Sequence, residues 1–108
     1  MDNCVFCGII NKKIPANIVY EDDSTIVFPD IHPKKPVHLL IVPKTHVEDF
    51  TDINDKDLWF HLKEVIKKIA EDNGLKGQGF RLGINAFGAQ AVPHVHIHVM
   101  GPWNINEA

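Results

Sequence analysis

Apolar positions along the chain change period several times, and each change marks an element. In "CVFCGIIN", residues 4–11, Val5, Phe6, Ile9 and Ile10 suit a short helix that ends before "KKIP". "NIVYE" and "TIVFPD", rich in β-branched and aromatic residues and separated by the acidic "DDS", predict a hairpin. The proline-bracketed "IHPKKP" is a loop, and "VHLLIVP" is a strand in which His38, Leu40 and Val42 alternate with Leu39 and Ile41. From about Asp55 to Asn73, Leu58, Leu62, Val65, Ile66, Ile69 and Ala70 recur at helical spacing, with Asn54 as N-cap and Gly74 as the stop. "GFRLGIN" then reads as a strand, "AFGAQAVP" as a loop and "HVHIHVM" as the last strand. The order α-β-β-β-α-β-β, with hairpin-like links and one long helix, predicts an α+β fold: an antiparallel sheet of about five strands with its helices on one side.

Composition narrows the function more than the fold. A chain of 108 residues, 44% hydrophobic and 23% charged, suits one soluble globular domain over residues 1–108, with no repeat or linker. A net charge of −3 argues against a nucleic-acid partner, which needs a basic face, so a phosphate-bearing ligand is expected to be small. The acidic start "MDNC" and the lack of a long apolar run predict neither a signal peptide nor a membrane span, hence a cytoplasmic protein. Cys4 and Cys7, the only cysteines, form a C-x-x-C pair that in a reducing compartment points to metal or redox chemistry more than to a disulfide. Without a βαβ context redox activity is disfavoured, which leaves metal binding or a reduced pair packed in a short helix.

Three of the seven histidines stand at every second position in "PHVHIHVMG". On a strand His94, His96, His98 and Met100 share one face, and Val95, Ile97 and Val99 share the other. At a rise of about 3.3 Å per residue the outer two histidines are roughly 13 Å apart, so one ion cannot easily take all three. Two neighbours sharing an ion is one reading. The other gives each ring a separate task, with a middle nucleophile or base whose tautomer is fixed by carbonyls or histidines around it.

"HVHIHVM" resembles the signature of the histidine triad family, His-φ-His-φ-His-φ-φ with φ apolar. The resemblance extends to "CVFCGIINKKIPANIVYEDD", "FPDIHP", "HLLIVPKTH" and "GIN…GAQAVPHVHIHVMG", nearly the whole chain, and is nearest to the Hint-like, bacterial nucleoside phosphoramidase-type branch. It implies a nucleotide hydrolase or nucleotidyl transferase acting at the α-phosphate of purine nucleoside phosphoramidates or related AMP or GMP conjugates. His96 would be the nucleophile, forming a nucleotidyl-histidine, with His98 and His38 supporting it. Dinucleoside polyphosphate hydrolysis, as in another branch, is the rival enzymatic reading. The resemblance places Asp30 as the ribose acceptor and Phe6, Ile9, Phe28, Ile31 and Leu40 around the base. Asn85 would lie near phosphate or ribose, with Val92 and the backbone amides around Ala89 and Ala91 in the same nucleotide site. A homodimer is implied, through the long helix and the Asn85-containing strand.

Some bacterial relatives hold a structural zinc with C-x-x-C, the histidine of Pro-Lys-x-His and the first triad histidine. Cys4, Cys7, His46 and His94 match, and Cys2His2 suits Zn²⁺. No organic cofactor is expected. The chain departs from its relatives at Gly88-Ala89-Gln90-Ala91, where many phosphoramidases read Gly-Gly-Gln-Ser. Pro93 also replaces an aromatic, and the loop from Asn85 to His94 is shorter. The missing hydroxyl would normally bond or protonate the leaving group, so it bears on substrate and rate. It also makes a third reading credible, a zinc-stabilised nucleotide-binding interaction protein with little turnover. His32 and His61 read as a loop and a surface residue.

Overall fold

The computed structural model describes residues 3–107. The elements are α1 (Val5–Ile10), β1 (Tyr20–Glu21), β2 (Thr25–Pro29), β3 (Val37–Pro43), α2 (Lys56–Asp72), β4 (Arg81–Gly83) and β5 (Ile97–Gly101), with 3-10 turns at Phe50–Asp52 and Ile105–Glu107. The strands form one antiparallel sheet in the order β1-β2-β3-β5-β4. The expected α+β class and element order both hold.

Strand alternation divides the core between two faces. Val27, Leu39, Ile41, Ile97 and Val99 point one way and pack against Leu62, Val65, Ile66, Ile69 and Ala70 of α2. Ile26, Phe28, Leu40 and Val42 point the other way and pack against Cys4, Phe6 and Ile9. The two helices therefore lie on opposite faces, which corrects the expectation of helices on one side. The reason is in β2 and β3, which are apolar on both faces and need cover on both. Because α1 has only 6 residues, it covers β2 and part of β3 and leaves the same face of β5 and β4 open.

Helix α2 is capped by Asp55, whose carboxylate accepts from the Asp57 and Leu58 amides, one residue later than the predicted Asn54. Gly74, with φ of +75°, takes the left-handed conformation that ends it. The last strand begins only at Ile97, so His94 and His96 precede the ladder. Their segment is bonded elsewhere: the Val95 N–H donates to the Val47 carbonyl at 2.7 Å. Among the described residues no helix is long and apolar enough to cross a membrane.

Candidate active site

The open half of the α1 face carries the histidines. Across the sheet Phe28 lies opposite Leu40, Leu40 opposite His98, and His98 opposite Gly83. In the next row His38 lies opposite Met100 and Met100 opposite Arg81. His38 and His98 are thus diagonal neighbours on one face, within side-chain reach, and His38 Nε2 comes to 2.9 Å from His98 Nδ1. The Lys34 backbone N–H donates to His38 Nδ1 at 3.0 Å, so the neutral ring carries its proton on Nε2 and donates it to His98 Nδ1. The His98 proton is thereby left on Nε2, a buried atom with no hydrogen-bond partner among the described residues.

Asp30 follows β2, and its N–H donates to the His38 carbonyl at 3.0 Å. Its Oδ2 lies 3.4 Å from His38 Nε2 and 3.6 Å from His98 Nδ1. Burial holds both histidines below the ordinary imidazole range. For His38 Asp30 works against this and Lys34 adds to it; for His98 the neighbouring His96 and His38 add to it before Asp30 opposes. Both rings are neutral at pH 7.

His96, also buried, has the opposite tautomer. Its Nδ1–H donates to the His94 carbonyl, two residues back, at 2.8 Å, which leaves the lone pair on Nε2. The His96 and His98 ring centroids are 5.1 Å apart. One ring offers a lone pair and its neighbour an N–H, and main-chain groups set both. Phe6 fixes the ring plane of His96 with an edge contact at 5.0 Å and also meets Phe28 at 5.4 Å.

The ring of His94 turns away to a second cluster. Sγ of Cys4, Sγ of Cys7, Nδ1 of His46 and Nδ1 of His94 all lie within 4.8 Å of one another. Cys4–His94 is 3.4 Å, Cys7–His46 3.2 Å and Cys7–His94 3.6 Å. Bonds of about 2.3 Å to sulfur and 2.0–2.1 Å to nitrogen give tetrahedral edges of roughly 3.4–3.8 Å, so these donors fit a zinc ion with little adjustment. The His94 Nε2–H donates to the Pro43 carbonyl at 2.8 Å, which leaves Nδ1 free to ligate. The Cys7 N–H donates to Cys4 Sγ at 3.4 Å. Asp30, His38 and His98 also converge, but His38 Nε2 holds a proton there, so that trio is a hydrogen-bond network and not a ligand set.

Known proteins share this fold and much of this sequence. A family profile described as "Scavenger mRNA decapping enzyme C-term binding" matches residues 3–106. An uncharacterised HIT-like protein of Buchnera aphidicola is 41% identical over 104 residues, 93% of this chain and 91% of that protein. The chain belongs to the histidine triad family. Protein HitA of Neisseria gonorrhoeae is 43% identical over 105 residues, 94% of this chain and 97% of that protein. The crystal structure of a HIT family hydrolase from Legionella pneumophila superposes with a TM-score of 0.89 at 41% identity, covering 95% of this chain and 96% of that one.

In this histidine triad protein the other predicted site residues are brought together unevenly. Phe6, Ile9, Phe28 and Leu40 form one buried apolar cluster, with Val92 half-buried against it. Ile31 is 86% exposed and lies outside that cluster, because the chain turns outward after β2. Asn85 lines a cavity with His38 and His98. The Ala89 amide donates to the Ala86 carbonyl at 3.1 Å within the loop. Among the described residues the Ala91 amide has no acceptor. Sequence reasoning missed what fastens this loop: Asp49 Oδ1 accepts from the Phe87 N–H at 2.7 Å, and Gln90 Nε2 donates to the Glu48 carbonyl at 2.9 Å. Nothing in "VEDF" marks that acid. Lys34 and Arg81, which line the cavity, were missed too, although Arg81 is the chain's single arginine.

Proposed function

We propose that the protein is a nucleotide hydrolase or nucleotidyl transferase that cleaves at the α-phosphate of purine nucleoside phosphoramidates or related AMP or GMP conjugates. The observation that carries this is the His96 Nδ1–H bond to the His94 carbonyl, which in the neutral ring leaves the lone pair on Nε2, the atom that acts as nucleophile. Nε2 attacks phosphorus, a P–N bond forms as the bond to the leaving group breaks, and a nucleotidyl-histidine results. The positive charge on the ring is shared through Nδ1–H with the His94 carbonyl. His98, with its proton on Nε2, donates to a phosphoryl oxygen or to the departing atom, a task that falls to it because Ala91 has no hydroxyl. Water then attacks phosphorus and gives up a proton, which restores to His98 the one passed to the leaving group; the P–N bond breaks, the nucleoside monophosphate leaves and His96 regains its lone pair. Phe6, Ile9, Phe28 and Leu40 flank the base, and Asp30 accepts from the ribose hydroxyls.

Cys4, Cys7, His46 and His94 hold a structural zinc in this reading, fixing the backbone from which the His94 carbonyl projects. The protein also works as a homodimer. β4 is a sheet edge, Phe80 and Leu82 are exposed there, and they continue into an apolar groove beside Ile66 and Ala70 of α2.

The test is AMP release from an adenosine phosphoramidate and from a diadenosine polyphosphate. Wild-type protein is expected to turn over the phosphoramidate faster, with His96→Ala lower by roughly 10⁴-fold or more. Equal rates for the two proteins on both substrates overturn the reading. Ala91 favours a second one, nucleotide binding with little turnover. Nucleotide binding by a catalytically silent wild type, with Ala91→Ser restoring the rate, would establish it.

A further inference from the structure

Beside the triad lies a cavity of about 280 Å³ lined by Lys34, His38, Arg81, Gly83, Asn85, His98, Met100 and Trp103. Met100 forms its floor between His38 and Arg81, and Gly83 keeps it open, since a Cβ there would stand 3.5 Å from Met100 Cε and 3.9 Å from His98 Cβ. Two cations reach it from opposite ends, Lys34 from the loop before β3 and Arg81 from the edge strand β4. Among the described residues neither has a carboxylate within 4.0 Å, whereas the adjacent Lys35 is paired with Glu107. Trp103 holds the Arg81 guanidinium over its ring at 5.1 Å and Lys35 Nζ at 4.7 Å, so Arg81 is positioned but not neutralised. His96 does not line this cavity, and the apolar cluster under α1 lies on its other side.

Resting on the nucleotidyl-transfer reading, we propose that this cavity is the leaving-group subsite and that Lys34 and Arg81 make it selective for a leaving group bearing an anion. In-line attack places the leaving group across phosphorus from His96 Nε2. With the nucleoside on the α1 side, the departing group extends over Met100 between the two cations. The shared chemistry is a carboxylate or phosphate one to three bonds beyond the scissile atom, as in an amino-acid conjugate or a polyphosphate. An amine ending in a second ammonium meets two like charges there and is disfavoured.

The experiment compares kcat/KM on adenosine 5′-phosphoramidates of β-alanine, its methylamide and 1,2-diaminoethane, with diadenosine tetraphosphate as the phosphate arm. Wild-type protein is expected to prefer β-alanine over the methylamide by about 10-fold, and the diamine to be slowest. Arg81→Gln and Lys34→Gln should each shrink that preference by about 5-fold, with Arg81→Lys intermediate. Faster turnover of the tetraphosphate than of the β-alanine conjugate would identify phosphate as the anion, and the reverse order carboxylate. A flat wild-type series, or a preference untouched in both glutamine variants, overturns the subsite while leaving nucleotidyl transfer intact. Calorimetric binding of inorganic pyrophosphate covers the converse case. If no substrate turns over, binding weakened about 5-fold by both variants, and not by Lys67→Gln, sustains the anion site alone; no binding, or binding insensitive to both, removes it. Both residues are exposed, so the variants keep the fold.

Discussion

At the scale of single residues, what matters is where each histidine keeps its proton. His38 and His98 are held below the ordinary histidine pKa of about 6.5, chiefly by burial, and both must be neutral for the Lys34–His38–His98 chain to keep its direction. As pH falls, protonation of His38 Nδ1 would turn an acceptor into a donor facing the Lys34 N–H. Phosphoramidate turnover is therefore expected to stay level from pH 8 down to about 6.5 and to fall only below it; a drop already complete above that value contradicts the assignment. His94 has two jobs, its ring in the cysteine cluster and its carbonyl on His96. Cys4→Ser should release zinc to a chelating dye at far lower chelator concentration and lower the melting temperature. Equal zinc content in the variant and the wild type, by elemental analysis of untagged protein, would count against the cluster. The alternation "HVHIHVM" made the triad legible, but not that His94 and His96 stand outside the ladder. A period-two pattern says which side a residue takes, not whether a neighbouring strand reaches it.

At the scale of elements, one clasp was invisible in the sequence. Asp22, in the β1–β2 turn, accepts from the Ser24 and Thr25 amides at 2.9 Å, from Tyr20 Oη at 2.6 Å and from His61 Nε2 of α2 at 2.7 Å. Burial alone would raise its pKa, yet the bonds from Tyr20, Ser24 and His61 outweigh that and hold it at about 2. The depressed value means stability that is fully present above the unfolded carboxyl pKa of about 3.9 and lost as pH falls through about 2. Allowing for partial exposure, about 1–2 kcal/mol is at stake. Asp22→Asn should lower the melting temperature at pH 7 by roughly 5–10 °C and flatten the acid limb between pH 4 and 2; an unchanged limb rules the clasp out. "DDS" announced a turn correctly. Which aspartate would meet a histidine on a helix thirty-nine positions away depends on packing that local pattern does not contain. The same limit put both helices on one face, where strands apolar on both sides required two.

At the scale of the whole molecule, the β4 edge and the groove beside α2 have nothing over them among the described residues. Leu82→Glu is expected to convert a dimer to a monomer in sedimentation equilibrium. An unchanged mass would place the contact elsewhere, and a wild-type monomer would end the dimer reading. The fold class and most of the histidine cluster could be read from apolar period and motif, because both repeat locally. The cation pair of the cavity could not, because Lys34 and Arg81 meet only through the strand order that sets β4 beside β5. One feature bears on how such a protein would look to genetics. The proton positions of His96 and His38 are dictated by the His94 carbonyl and the Lys34 N–H, groups that every ordinary substitution at those positions preserves. A scan of alanines would report the side chains at these positions and pass over both main-chain groups. To reach the device itself one would have to change the peptide group, by proline at position 34 or by an ester linkage after His94; the instruction is written in the main chain, which every other encoded residue leaves in place.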